Sequence, residues 1–119
     1  MYPVIFPIAV GNLRPIIRFN CKDRAGVLFN GTGIVSVKFF MAKIKDDRTL
    51  DTPILNGVAG AVTQANPLVL SYTWVGTDTA SAGRYACWME AYWGAASTLP
   101  QTFDGPIVKI YTPGTQVVI

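Results

Sequence analysis

The chain has 119 residues, half of them apolar and 14% charged, with a formal net charge of +3 and no histidine. That length bounds it to one domain, and the missing histidine removes the Ser-His and Cys-His nucleophile systems together with the commonest metal ligand. Charge falls well below the roughly one quarter usual for a soluble domain, so part of the surface is expected to be covered by another molecule.

The basic residues are scattered from Arg14 to Lys109, and the one local excess, Lys38, Lys43 and Lys45, runs straight into Asp46 and Asp47. A nucleic-acid binder would gather its positive charge on one face, so nucleic acid is not an expected partner. Nor is a membrane, because no run approaches the roughly 18 apolar residues that span a bilayer. The N-terminal stretch lacks a basic leader and is broken by Pro3 and Pro7. It is therefore not read as a signal peptide, which points to synthesis in the cytoplasm.

In chain order, Val4–Val10 is an apolar segment whose two neighbouring prolines cannot donate to a ladder, so it is an edge strand or an extended strap. Pro15–Lys22 alternates, with Ile17, Phe19 and Cys21 on one face and Arg18, Asn20 and Lys22 on the other. Such period-two alternation means one buried and one wet face. Asp23–Gly26 is a turn. Ile34–Ile44 is the next strand, with Val35, Val37, Phe39 and Met41 sharing a face opposite Lys38 and Phe40. Lys45–Thr52 is a charged loop, and Ile54–Val62 is a weaker strand interrupted by Gly57 and Gly60. Val69–Val75 is a strong strand. Gly83–Trp93 is another, with Tyr85, Cys87, Met89 and Ala91 on one face and Arg84, Ala86, Trp88, Glu90 and Tyr92 on the other. A turn at Gly94-Ala95 and a short strand lead to Leu99-Pro100, and Pro106–Tyr111 is the last strong strand. Helical periodicity with caps is almost absent, while Pro and Gly recur at eight and eleven copies. Short strands with frequent turns predict an all-β sandwich of about seven or eight antiparallel strands. Residues 1–10 and 112–119 are read as extended arms around a domain at 11–111.

Catalytic groupings are sparse. Glu90 is the single glutamate. Asp46, Asp47 and Asp51 share one loop with cations and lack the alternating oxygen ligands and central glycine of a calcium loop. Asp78 stands where its side chain would cap a turn. The glycines at 31–33 and 57–60 lack the spacing and following helix of a phosphate loop. No catalytic, cofactor or metal site is expected. Trp74, Trp88, Tyr92 and Trp93 could form a sugar-stacking platform, but aromatics serve cores and interfaces more often. Cys21 and Cys87 fall on inward faces of an early and a late strand. Two free buried thiols are favoured over a bridge, because a cytoplasmic product keeps its thiols reduced.

Residues 78–85, Asp-Thr-Ala-Ser-Ala-Gly-Arg-Tyr, resemble the corner that leads into a late strand of an immunoglobulin-like domain, with Tyr85 two residues before Cys87. Residues 11–43, from Gly-Asn-Leu-Arg-Pro to Phe-Phe-Met-Ala-Lys, resemble the opening of the N-terminal domain of the phage baseplate upper protein family. Residues 70–110 resemble its later pattern: a Tyr-x-Trp strand, an Asp-Thr-Ala-x-x-Gly-x-Tyr corner, an aromatic-rich strand, a hairpin and a final Val-x-Ile strand. The corner with Trp74, Asp78, Gly83 and Tyr85 is the specific part.

That resemblance implies an immunoglobulin-like sandwich with a structural role in a virion, at the tail, baseplate or neck, and no enzymatic activity. The expected partners are other phage structural proteins and further copies of the chain. The expected interface residues are Tyr2, Ile5, Phe6, Trp88, Tyr92, Trp93, Val117, Val118 and Ile119, carried largely by the two apolar arms. The alternatives are a capsid decoration protein and a carbohydrate-binding module for host attachment.

Overall fold

The computed structural model describes residues 4–22, 25–93 and 100–114. Nine strands and no helix occur among them: β1 (Ile5–Ala9), β2 (Ile17–Asn20), β3 (Ser36–Lys43), β4 (Leu55–Ala59), β5 (Ala61–Gln64), β6 (Val69–Tyr72), β7 (Gly83–Tyr92), β8 (Gln101–Asp104) and β9 (Ile107–Tyr111). The larger sheet runs β1-β9-β7-β3-β4, with β8 also on β7, and the smaller runs β2-β6-β5. Every pairing is antiparallel except β1 with β9, which is parallel.

The all-β sandwich forms because strict alternation gives each sheet one apolar face. On β7 the inward row is Tyr85, Cys87, Met89 and Ala91, all buried, while Arg84 on the opposite face is exposed. β3 adds Val37, Phe39 and Met41, and β2 adds Ile17 and Phe19 from the opposing sheet. Phe39 is fully buried, stacks on Tyr72 with ring centroids 4.3 Å apart, and meets Trp74 edge-on at 5.9 Å. Trp74 in turn touches Phe6. This aromatic knot ties the end of β6 to β3 and β1.

Three readings of the sequence need correction. The single weak strand at 54–62 is two strands in different sheets. Gly60 is the crossing point: its N–H donates to the Val37 carbonyl, and a Cβ there would stand 3.0 Å from Val37 Cγ1 and 3.3 Å from the Ser71 carbonyl oxygen. The small residue lets the chain pass between the two sheets. Second, residues 5–9 are not a detached arm. They are an edge strand registered on β9 from Ile5↔Ile107 to Ala9↔Tyr111, and Ile8 is a core residue. Third, Val35 is 60% exposed although it keeps phase with Val37, because it stands beyond the end of the sandwich core. The short strand expected between the Gly94-Ala95 turn and Leu99-Pro100 lies outside the described residues, and a strand that the sequence reading did not set out runs from Gln101 to Asp104. The turn itself, and Tyr2, Asp23, Arg24 and the segment Thr115–Ile119 with Val117, Val118 and Ile119, lie outside the described residues.

At the β8–β9 junction the two sheets nearly touch. A Cβ at Gly105 would lie 2.3 Å from Phe19 Cζ and 2.8 Å from Cys87 Sγ. Phe19 belongs to the small sheet and Cys87 to the large one, so Gly105 sets how far the Phe19 ring penetrates. Gly105→Ala is expected to cost about 1–3 kcal/mol of stability through overpacking, measured as a lower urea midpoint. An unchanged midpoint would show that the ring moves aside freely.

Candidate functional site

Two regions concentrate side-chain detail: the corner before β7 and the outward face of the large sheet. At the corner, Asp78 does what a capping aspartate should. Its Oδ2 accepts the Val75 N–H at 2.9 Å and the Tyr72 hydroxyl at 2.5 Å, while the Asp78 N–H returns to the Val75 carbonyl. The Tyr85 hydroxyl donates to the Ser81 carbonyl at 2.9 Å, which locks the entry into β7. Burial, then the Asp78 carboxylate, push the Tyr72 phenol up. Gly83 has φ +150, and a Cβ there would meet Lys43 Cε at 3.0 Å, so glycine suits the place where the corner passes beside Lys43. Trp74 stands in the core beneath the corner, 2% exposed, which removes it from any surface platform. A hollow of about 380 Å³ beside the corner is lined by Lys43, Asp51, Thr77 and Ser81. Asp78 also borders it; of the two carboxylates, Asp78 already serves the turn and Asp51 accepts the Thr52 N–H at 2.8 Å.

The charged loop is self-contained. Asp47 Oδ1 accepts from both the Thr49 N–H at 3.0 Å and the Thr49 hydroxyl at 2.6 Å, and these bonds hold its carboxyl below the usual aspartate range. Among the described residues, no group of three or more His, Cys, Asp or Glu side chains could hold a metal ion.

The outward face is built by register. β3 and β7 place Phe40 opposite Trp88, Lys38 opposite Glu90 and Ser36 opposite Tyr92. The Phe40 and Trp88 rings are parallel within 2°, with centroids 5.4 Å apart. Stacks of this kind contribute about 0.5–1.5 kcal/mol beyond area burial. β4 supports the pair. The β3–β4 register shifts between Phe39 and Phe40, and Gly57, at φ +83, stands beside the ring, where a Cβ would lie 3.6 Å from Phe40 Cζ. The left-handed backbone at Gly57 favours a residue without Cβ, and its bareness leaves the flat ring room. Beyond the stack, Lys38 Nζ sits 5.1 Å from the centroid of the Tyr92 ring, and the Tyr92 hydroxyl donates to Glu90 Oε1 at 3.1 Å. Desolvation and then the Glu90 carboxylate push this phenol up. Asp104 on β8 pairs with Trp88, so charges border the aromatic pair. Ile5 and Ile107, paired across β1 and β9, are partly buried.

The expected interface set therefore divides. Trp88 and Tyr92 share the outward face, and the alternation of β1 places Ile5 opposite Phe6. Phe6 packs against Trp74 in the core. Trp93 continues the inward row of β7 at the end of the sandwich: its ring lies 5.9 Å from Phe29 and its indole N–H donates to the Thr32 carbonyl at 3.0 Å. The four aromatics that could have stacked on a sugar thus do not share a surface. Sequence reasoning set Phe40 outward but did not pair it with Trp88, and it missed Gly57 as the neighbour of the ring. Only cross-strand register, which no local pattern encodes, brings those three together.

Both cysteines are free and buried. Cys87 Sγ donates to the Pro106 carbonyl at 3.2 Å and Cys21 Sγ to the Phe19 carbonyl at 3.5 Å. Burial pushes the Cys21 thiol up to about 11 and the Cys87 thiol up to about 12, with Asp104 adding to the second.

No family model, curated protein or solved structure matches this chain.

The raised thiols give stability an alkaline limit. The unfolded chain releases these protons near the ordinary value of 9.0, whereas the folded chain holds them to about 11 and about 12. Their contribution is therefore complete below that ordinary value and is lost as pH rises through the folded values. The urea midpoint should be level from about pH 7 to 9 and fall steadily above, and a Cys21→Ala, Cys87→Ala chain should fall less steeply. Equal slopes for the two chains would contradict the assignment.

Proposed function

We propose that the chain is an immunoglobulin-like assembly module, a structural protein of a bacteriophage particle at its tail, baseplate or neck. The observation that carries the reading is the outward face of the large sheet, where a stacked Phe40–Trp88 pair bordered by charges offers an anchor of the kind that dominates protein–protein contacts. The low charge content of the chain supports the same view.

The strand order supports an immunoglobulin-like assignment of the variable type. β9, β7 and β3 stand where the G, F and C strands of such a domain lie, β4 extends that sheet on the C side, and β2, β6 and β5 form the opposing sheet. The Tyr85–Ser81 bond supports the same assignment, since it has the form of the tyrosine corner of such domains. Two features depart from the antibody pattern. The cysteines are unbridged, and the buried tryptophan comes from just after β6, while β3 carries Phe39 in the core. The aromatic knot of Phe39, Tyr72 and Trp74 takes over the packing that a bridge and its tryptophan supply in antibody domains. A module of this kind acts by holding neighbours in place.

In particles purified from a lysate that carries the gene, the chain should appear in fixed ratio to the major capsid protein, and Trp88→Asp should lower its occupancy at least about five-fold without unfolding it. Recovery of the unaltered chain only in the unassembled fraction would overturn the reading. A copy number in the hundreds would move it from the tail to the capsid surface. Trimming residues 1–9 is a poor test, because it removes β1 and the core residue Ile8.

A further inference from the structure

The ten Lys and Arg and seven Asp and Glu of the chain leave one gap twice as long as any other: none falls from Thr52 to Thr77. β4 and β5 both lie inside that gap. Among the described residues, β4 pairs only with β3 and β5 only with β6, so each closes its sheet at an open edge. The chain passes from one to the other through Gly60 alone, which puts both edges on one flank of the sandwich. Open edges present unpaired backbone donors and acceptors, and monomers blunt them with charge or proline. The other edges of this molecule carry those devices. β1 has the exposed Pro7, and β2 has the exposed Arg18 with Lys22 just beyond it. The flank of β4 and β5 has neither: Asn56, Ala59 and all four residues of β5 are exposed and uncharged.

We infer that this flank is the dimer interface of the protein, with β4 of one copy pairing antiparallel to β4 of a second copy across a two-fold axis. The occupant is a second copy for two reasons. An edge set against its own copy needs self-complementarity, and an uncharged strand meets it without placing like charges opposite each other. The net charge of +3 lies on the rest of each copy, so this flank is where two copies approach with least repulsion. Register irregularities at Phe39/Phe40 on β3–β4 and at Val62/Gln64 on β5–β6 bend both edges. That bend suits one closed pairing over an endless stack. Joining β4 to its copy also brings Phe40 and Trp88 of both copies onto one continuous outward face.

Sedimentation velocity on the purified chain tests this independently of any virion. The unaltered 12.9 kDa chain should sediment as a dimer. Ala59→Lys and Thr63→Lys should each weaken the dimer at least about ten-fold, and an equimolar mixture of Ala59→Lys and Ala59→Glu should recover it. Asn20→Lys, on the β2 edge, should leave it intact. Because a lysine in β4 could disturb the strand itself, amide exchange on the unaltered chain supplies a second reading: protection of residues 55–59 should rise with protein concentration. A chain that stays monomeric up to about 100 µM would overturn the proposal. So would a dimer indifferent to Ala59→Lys and Thr63→Lys but broken by Trp88→Asp, or protection of 55–59 that ignores concentration.

Discussion

The register of β7 is the constraint on which the rest of the large sheet depends. This ten-residue strand pairs with β3 along its length, with β9 at its start and with β8 towards its end. A slip of one residue would turn Tyr85, Cys87, Met89 and Ala91 to solvent and drive Arg84 and Glu90 into the core. The corner prevents it at one end, through the Tyr85 hydroxyl on the Ser81 carbonyl and the Asp78 cap just upstream. At the other end, Trp93 is fixed by its bond to the Thr32 carbonyl. With β7 pinned at both ends, its even-numbered residues must face outward, and Trp88 arrives opposite Phe40 without any further specification. Core register and candidate surface are thus two sides of one strand.

Strands with strict alternation were legible in the sequence. β2, β3 and β7 declare themselves by period two and β9 by its apolar run, and the assigned inward faces of β2 and β7 agree with burial down to single residues. The capping role of Asp78 was legible too, because a turn aspartate acts on its own neighbourhood. The partition at Gly60 was not. Residues 54–62 lack alternation, and a glycine within a strand pattern looks the same whether it marks a bulge or a change of sheet. The partner of β1 was equally hidden, since the pairing joins residues a hundred positions apart, and Pro7 locally left both an edge strand and a strap open. Trp93 illustrates a third limit: an aromatic at a strand end can point to solvent or plug the sandwich, and the choice rests with Phe29, which comes from a distant loop.

Polarity is divided unevenly around the sandwich. Cations and carboxylates gather on the outward face around the Phe40–Trp88 stack, on β2 and in the tight loop after β3, while 26 consecutive residues carry no charge at all. The stack offers directional anchoring, because a flat ring pair bordered by Lys38, Glu90 and Asp104 presents both an apolar centre and a polar rim. The uncharged flank offers backbone groups with little side-chain selectivity. On the reading proposed above, one side would join a copy of the chain and the other a different protein, as a component of a layered assembly requires.

The parallel pair of β1 and β9 has a mechanical meaning. The two strands run side by side in the same direction, with five registered residue pairs between Ile5↔Ile107 and Ala9↔Tyr111. The chain enters at the start of β1 and leaves at the finish of β9, so tension on the two extremities pulls these strands past each other lengthwise. All of the hydrogen bonds between them then share the load together, where a hairpin would open rung by rung like a zip. A subunit wired in this way resists stretching most stiffly along the axis on which its own backbone would transmit force.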